Sequence, residues 1–237
     1  MKKKILITLV LFITLFTLTA CGESKEKKEE NKDAIAFKDD YESMNEKTTS
    51  SGALHRKVTL SENNKFVEIT PEEVVTMIEN NETFYLYFGS KLCPWCRSVI
   101  EMADQISRDN EIEKIYYVDI WDDDGNEILR DKYSLGENNE PVMTFEGTTS
   151  YKKLLEIFND LLDDYTLTDG DDNTINVGEK RIFAPTYLYV ENGKPVRMTT
   201  GISKNQKDSR GELTEEILAD EEKQFNNFFV NACDEQC

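Results

Sequence analysis

Histidine is all but missing from this chain of 237 residues: His55 is the single example. A Cys–His nucleophile, or a metal site built on imidazoles, has nothing to be built from, and His55 itself reads as a surface residue. Positive charge is also scarce. Lys and Arg number 28 against 47 Asp and Glu, for a formal net charge of -19, whereas a surface that neutralises phosphates needs the opposite balance. A nucleic-acid partner is therefore not expected. The acidic clusters Asp122-Asp123-Asp124-Gly125-Asn126 and Asp169 to Asn173 lack the sixth-position glycine and twelfth-position glutamate of an EF-hand loop. They read as acidic turns, and no metal or cofactor is expected.

The one long apolar run, Ile5 to Leu18, is shorter than a membrane span of about 20 residues. It comes after Lys2-Lys3-Lys4 and so reads as a signal peptide over residues 1–20. Leu18-Thr19-Ala20-Cys21 resembles the lipobox of bacterial lipoproteins, which implies lipidation of Cys21 and a membrane anchor outside the cytoplasm. Losing the three lysines of that segment takes the net charge from -19 to -22. Residues 21–52 are rich in Lys, Glu, Asp, Ser and Thr with few apolar positions, so they read as a flexible tether, with Phe37 and Tyr41 able to dock on the domain. The run from Ala53 to Leu60 reads as a candidate added strand. A single domain is expected over residues 53–237.

Within it, Thr83 to Phe88 is an aromatic, β-prone run closed by Gly89-Ser90, the pattern of a buried strand. Cys93-Pro94-Trp95-Cys96 comes directly after. From Cys96 onward, Val99, Ile100, Ala103 and Ile106 recur at helical spacing, with Arg97, Glu101 and Asp104 assigned to the outer face. The two cysteines thus stand at a strand-to-helix junction, where free N–H groups and the positive end of the helix dipole stabilise a thiolate. Cys93, on the outer side of the turn, is the expected nucleophile. Cys96, one step into the helix, is the expected resolving thiol, and Lys91 and Arg97 are the cations expected to favour a Cys93 thiolate.

Other elements emerge by the same reasoning. Lys65 to Ile69 reads as a strand, and Thr70-Pro71-Glu72-Glu73 as a capped helix start with proline at the first position. Ile115 to Trp121 reads as a central strand. Tyr151, Leu154, Leu155, Phe158, Leu161 and Leu162 keep a 3, 4, 7 spacing and predict an amphipathic helix. The segments around Glu137 to Glu140 and Asp169 to Asn173 predict hairpins on either side of it. Ala184-Pro185 opens the apolar strand Thr186 to Val190, a turn at Glu191 to Lys194 comes next, and a last helix begins near Thr214.

The strand, the Cys-Pro-Trp-Cys turn, the helix and the later Pro-Thr strand resemble the thioredoxin superfamily over roughly residues 66 to 232. The likeness is nearest to bacterial cell-surface thioredoxin-like proteins, including the bacteriocin-transport accessory group. It implies an α/β thioredoxin-like fold, a central mixed sheet flanked by helices, here with a helical and hairpin insertion over about 126–180. It also implies a cis-proline at Pro185 beside the sulfurs, with Trp95, Ala184 and Pro185 aligning a substrate. The buried acid that serves proton transfer in thioredoxin is replaced at its position by Tyr87, and Leu92 stands where thioredoxin has tryptophan.

The expected function is that of a thiol-disulfide oxidoreductase held at the extracytoplasmic membrane face through Cys21, acting on protein thiols or disulfides with a redox partner not named by the sequence. A non-catalytic accessory or binding lipoprotein on the same fold is the alternative. Cys233 and Cys237 read as a disulfide clasp or as a second, electron-passing dithiol, and together with Cys93 and Cys96 they are four possible zinc ligands.

Overall fold

The residues of Phe84 to Gly89 are buried along their whole length, and alternate side chains leave the strand in opposite directions. Tyr85 and Tyr87 enter one apolar core, while Phe84, Leu86 and Phe88 enter a second. A strand buried on both faces must lie at the centre of a sheet with helices on either side. The computed structural model describes residues 23–49 and 51–230, with side chains from residue 32 onward. The expected signal peptide, Cys21, Cys233 and Cys237 lie outside the described residues.

The sheet joins β1 (Phe66–Glu68), β3 (Ile115–Asp119), β2 (Phe84–Gly89), β8 (Thr186–Glu191) and β9 (Lys194–Thr199), in that order. β1, β3 and β2 run parallel, and β8 is antiparallel to β2 and β9. Helix α2 (Pro71–Glu79) starts at a capping box, with Thr70 Oγ1 accepting from Glu73 N and the Glu73 carboxylate accepting from Thr70 N. It covers one face with α4 (Thr149–Phe158); Val74, Ile78, Tyr151, Leu154 and Phe158 fill the core between them and the sheet. α3 (Pro94–Asp109) and α5 (Glu215–Phe228) cover the other face. The protein is therefore α/β with a mixed central sheet flanked by helices.

In the long passage from β3 to β8, helix α4 lays its apolar side into the second core. What stands outside the sheet is the pair of hairpins, β4–β5 (Lys132–Leu135, Pro141–Phe145) and β6–β7 (Asp163–Thr168, Thr174–Arg181). The acidic clusters are turns: Asp122 accepts from the N–H groups of Asp124 and Asn126, and Asp169 does the same for Asp171 and Asn173.

The larger correction concerns the segment expected to be a tether. Helix α1 (Glu23–Glu42) runs through it, and Ala34, Phe37 and Tyr41 are buried in the core of the α3 face. Phe37 stacks on Phe66 at 4.5 Å between ring centroids. Residues 34, 37 and 41 carry the 3, 4 spacing of a helix stripe; three core contacts are enough to order a polar stretch. The run 53–60 forms no strand. Its N–H groups are met by side chains instead: Val58 N donates to Asn45 Oδ1, Leu60 N to Glu42 Oε1, and Thr59 N to Glu101 Oε1. Ser61 N likewise donates to Asp104 Oδ2. The side of α3 expected to face water is thus partly covered: Arg97 and Asp104 are buried, while Glu101 stays exposed.

Deleting residues 1–49 should therefore destabilise the remainder markedly. Full burial of an apolar side chain contributes about 1.5–3 kcal/mol, so loss of Phe37 and Tyr41 alone removes on the order of 3–6 kcal/mol of gross stabilisation. Urea unfolding of the two forms measures it. Equal midpoints would return the segment to a passive tether.

Candidate active site

Cys93 caps the N-terminus of α3. Its backbone is extended, and its sulfur accepts from Cys96 N at 3.3 Å. Cys93 Sγ–H in turn donates to the Ala184 carbonyl at 3.6 Å, and the Ala184–Pro185 bond is cis. β2 delivers Cys93 and β8 delivers Ala184 because the two strands are paired antiparallel, with Phe88 opposite Thr186. Trp95, half-buried, packs against the same core. The structure thus brings Cys93, Cys96, Trp95, Ala184 and Pro185 together. Both cysteines are free thiols, and Cys93 is only 4% exposed.

The two thiols are in opposite electrostatic situations. The Cys96 thiol donating to it, the N–H groups of Cys96 and Trp95, and the Arg130 guanidinium hold Cys93 below the ordinary thiol range, against its own burial. Burial pushes Cys96 well above that range, and the Cys93 sulfur adds to the effect. The pair is therefore biased toward a thiolate at Cys93 and a proton-bearing thiol at Cys96.

The cation that acts on Cys93 is Arg130, which sequence reasoning missed. Arg130 and Arg181 are both buried and share one carboxylate, Glu127, at 2.7 Å and 3.4 Å. Lys91 is instead consumed by Asp40 and Asp123. Arg97 faces away from the sulfurs: it donates to the carbonyls of Arg56, Tyr41 and Lys91 and to Asn45 Oδ1. It is a clamp, not a source of field at Cys93.

Behind Cys96 lie four tyrosines. Tyr87 stacks between Tyr117 and Tyr187, at centroid distances of 5.3 and 4.4 Å. Its hydroxyl is 2.8 Å from the hydroxyl of Tyr41. Asp119, at the end of β3, has its carboxyl raised by burial, with hydrogen bonding from Trp121 N opposing. Among the described residues no group of three or more His, Cys, Asp or Glu side chains is arranged to hold a metal ion.

A second buried acid lies on α5. Glu221 is fully buried and neither carboxyl oxygen has a hydrogen-bond partner. Burial, and repulsion from Asp220, raise its pKa to about 7 against the opposing pull of Arg56. An acid with a raised folded pKa keeps in the native state a proton that the unfolded chain has already released, so its contribution falls with rising pH. The window runs from about 4.3, the value of free glutamate, to about 7. Glu221→Gln should therefore remove that part of the decline in urea midpoint between pH 5 and 8 and be the more stable form at pH 8. Parallel curves for the two proteins would refute the assignment.

No known protein-family model and no curated protein matches this sequence. The functional argument therefore stands on the geometry of the site. No helix among the described residues is long and apolar enough to cross a membrane.

Proposed function

We propose that the protein is a thiol-disulfide oxidoreductase with a thioredoxin-like fold, acting on protein thiols or disulfides through Cys93 and Cys96. The observation that carries the reading is the position of Cys93. Its sulfur sits at a helix N-cap, receives the Cys96 N–H at 3.3 Å and faces the Ala184 carbonyl at 3.6 Å, so a thiolate there is stabilised and a substrate disulfide has a backbone edge to lie against. Cys93 attacks a substrate disulfide, or is attacked when the pair is oxidised. Cys96 then closes on Cys93 and frees the substrate thiol. Trp95, Ala184 and Pro185 line the approach. In this reading the chain is held at the extracytoplasmic face through Cys21, where thiols are not kept reduced by a glutathione pool, and a redox partner resets the pair.

The near-complete burial of Cys93, 4% exposed, favours a second reading, a binding or accessory protein that keeps the fold without turnover. One assay separates the two: the purified protein is mixed with a disulfide protein such as insulin and a thiol donor, and with a reduced, disulfide-forming protein. Catalysed reduction or oxidation in either supports the oxidoreductase. Absence of both, together with a cellular role untouched by Cys93→Ser, supports the binding protein.

A further inference from the structure

We propose that Glu127, Arg130 and Arg181 are positioning residues of the redox site, holding segment 182–185, and with it the Ala184 carbonyl, against Cys93. This role rests on the oxidoreductase reading and deepens it. β7 ends at Arg181 and β8 starts at Thr186, so the residues between them belong to no strand and have no ladder of hydrogen bonds to fix them. Yet this stretch carries the Ala184 carbonyl, which accepts from the Cys93 thiol at 3.6 Å, and the backbone edge on which a substrate would lie. Something other than the sheet has to hold it in place.

Two buried arginines do so reciprocally. Arg130 Nη1 donates to the carbonyl of Ile182, the residue beside Arg181, at 3.2 Å. Arg181 Nη1 donates to the carbonyl of Asp131, the residue beside Arg130. The stretch after β3 is thereby stitched to the stretch before β8 from both sides. Glu127 fixes the two guanidiniums: its carboxylate accepts from Arg130 Nε and Nη2 at 3.0 and 2.7 Å and from Arg181 Nη2 at 3.4 Å. Trp121 Nε1 adds a further bond to it at 3.3 Å. Arg130 is 4% and Arg181 7% exposed, so water competes little for these bonds, and each planar fork serves a carbonyl and the carboxylate at once. The hairpins leave and rejoin the fold here, since β4 begins at Lys132 and β7 ends at Arg181.

The cluster has two separable effects on the site. Its geometry sets where the Ala184 carbonyl stands relative to Cys93 Sγ, and a shift of that edge by about 1 Å misplaces a substrate disulfide, at a cost of up to about 10²-fold in rate. Its charge acts through space, since the Arg130 guanidinium is among the groups that hold the Cys93 thiol below its ordinary range. The first effect is felt only by a substrate that lies along the backbone edge; the second is felt by anything that reacts with the sulfur. Arg130→Lys keeps the charge and loses the fork, whereas Arg130→Gln loses both. In either variant Arg181 still pairs with Glu127, at 3.4 Å, so the buried carboxylate is not left alone.

The test uses the reduced full-length chain and two probes: a disulfide-linked dimer of a short cysteine peptide, which has to align, and iodoacetamide, which needs only the thiolate. Acid quenching and mass spectrometry follow both reactions at Cys93, the alkylation across a range of pH. Arg130→Lys should slow exchange with the peptide by about tenfold or more, while alkylation stays within about twofold of the parent and keeps its pH midpoint. Arg181→Lys, which removes the reciprocal bond to the Asp131 carbonyl, should show the same split. Arg130→Gln should slow exchange as much and also move the alkylation midpoint to higher pH. Exchange at the parent rate in either lysine variant overturns the positioning role and leaves the oxidoreductase reading standing. Exchange and alkylation slowed by the same factor also overturn it, since a general loosening of the site would then suffice. If the parent chain does not exchange with the peptide at all, the oxidoreductase reading fails and the positioning role with it.

Discussion

Replacing Cys96 by serine should abolish turnover and leave the protein covalently joined to its substrates. The first exchange needs only the Cys93 thiolate: the Cys96 thiol that stabilises it most is replaced by a serine hydroxyl that can also donate, and the contacts from the Cys96 and Trp95 N–H groups and from Arg130 survive the change. The mixed disulfide then has no internal thiol to clear it, so it waits for an outside thiol and accumulates. Cys93→Ser should form no adduct at all, because the remaining thiol is fully buried and pushed well above the ordinary range by that burial. Non-reducing electrophoresis of the two variants, isolated from cells under acid quench, reads the difference. Equal adduct yields would overturn the division of roles between the two cysteines.

The largest loss of stability is expected from Arg97→Ala. Arg97 is 1% exposed, and its guanidinium joins three separate pieces of chain to the active-site helix through Tyr41 O at 2.8 Å, Arg56 O at 2.8 Å and Lys91 O at 3.1 Å. Each buried acceptor deprived of its donor costs about 1–3 kcal/mol. Three of them, less the gain from no longer burying a charge, come to about 4 kcal/mol. Lysine should rescue little, because a single ammonium does not reproduce the planar fork that meets three carbonyls at once. Urea unfolding measures the loss. A change below about 1 kcal/mol, the scale of an ordinary surface substitution, would show that water replaces the clamp. Since the clamp also holds the backbone of Tyr41, the variant should loosen α1.

Much of this architecture is written locally in the chain. The aromatic run ending at Gly89, the capping box from Thr70 to Glu73, and the 3, 4, 7 stripe that starts at Tyr151 each set one element through neighbours within a few residues; of that stripe α4 takes Tyr151 to Phe158, while Leu161 falls in a 3-10 turn and Leu162 is extended. Cys93 and Cys96 are legible for the same reason, since strand, turn and helix all lie within one short stretch. Helix α1 is not legible in this way, because the acidic and lysine-rich composition around residues 34, 37 and 41 outweighs three apolar positions. Burial of those positions depends on Phe66 and Tyr117, which composition does not bring near. Arg130 is hidden similarly. Its closeness to Cys93, and the Glu127 carboxylate that it shares with Arg181 from another strand, are through-space arrangements that spacing along the chain does not carry. Arg97 and Asp104 look like outer-face residues because nothing in the helix itself announces that the run 53–61 will lie across them.

The tyrosines show a related limit. Tyr87 marks the loss of an acid when the sequence is compared with thioredoxin, and only the fold reveals a second hydroxyl, from Tyr41, beside it. In physical terms, a strand position specifies which face a side chain enters, but not what the facing helix will bring to meet it.

The most direct test of the central claim is a redox titration of the full-length chain in glutathione buffers of graded ratio, monitored by mass spectrometry of the cysteine pair. The account predicts one reversible two-electron transition, with a tenfold change in ratio of the two forms per ~30 mV, that vanishes in Cys93→Ser and in Cys96→Ser. Stabilisation of the Cys93 thiolate favours the reduced form, so the midpoint should lie on the oxidising side of a pair with an ordinary thiol. Thiols at Cys93 and Cys96 that stay reduced across the whole range, or that oxidise only to separate glutathione adducts, would contradict it.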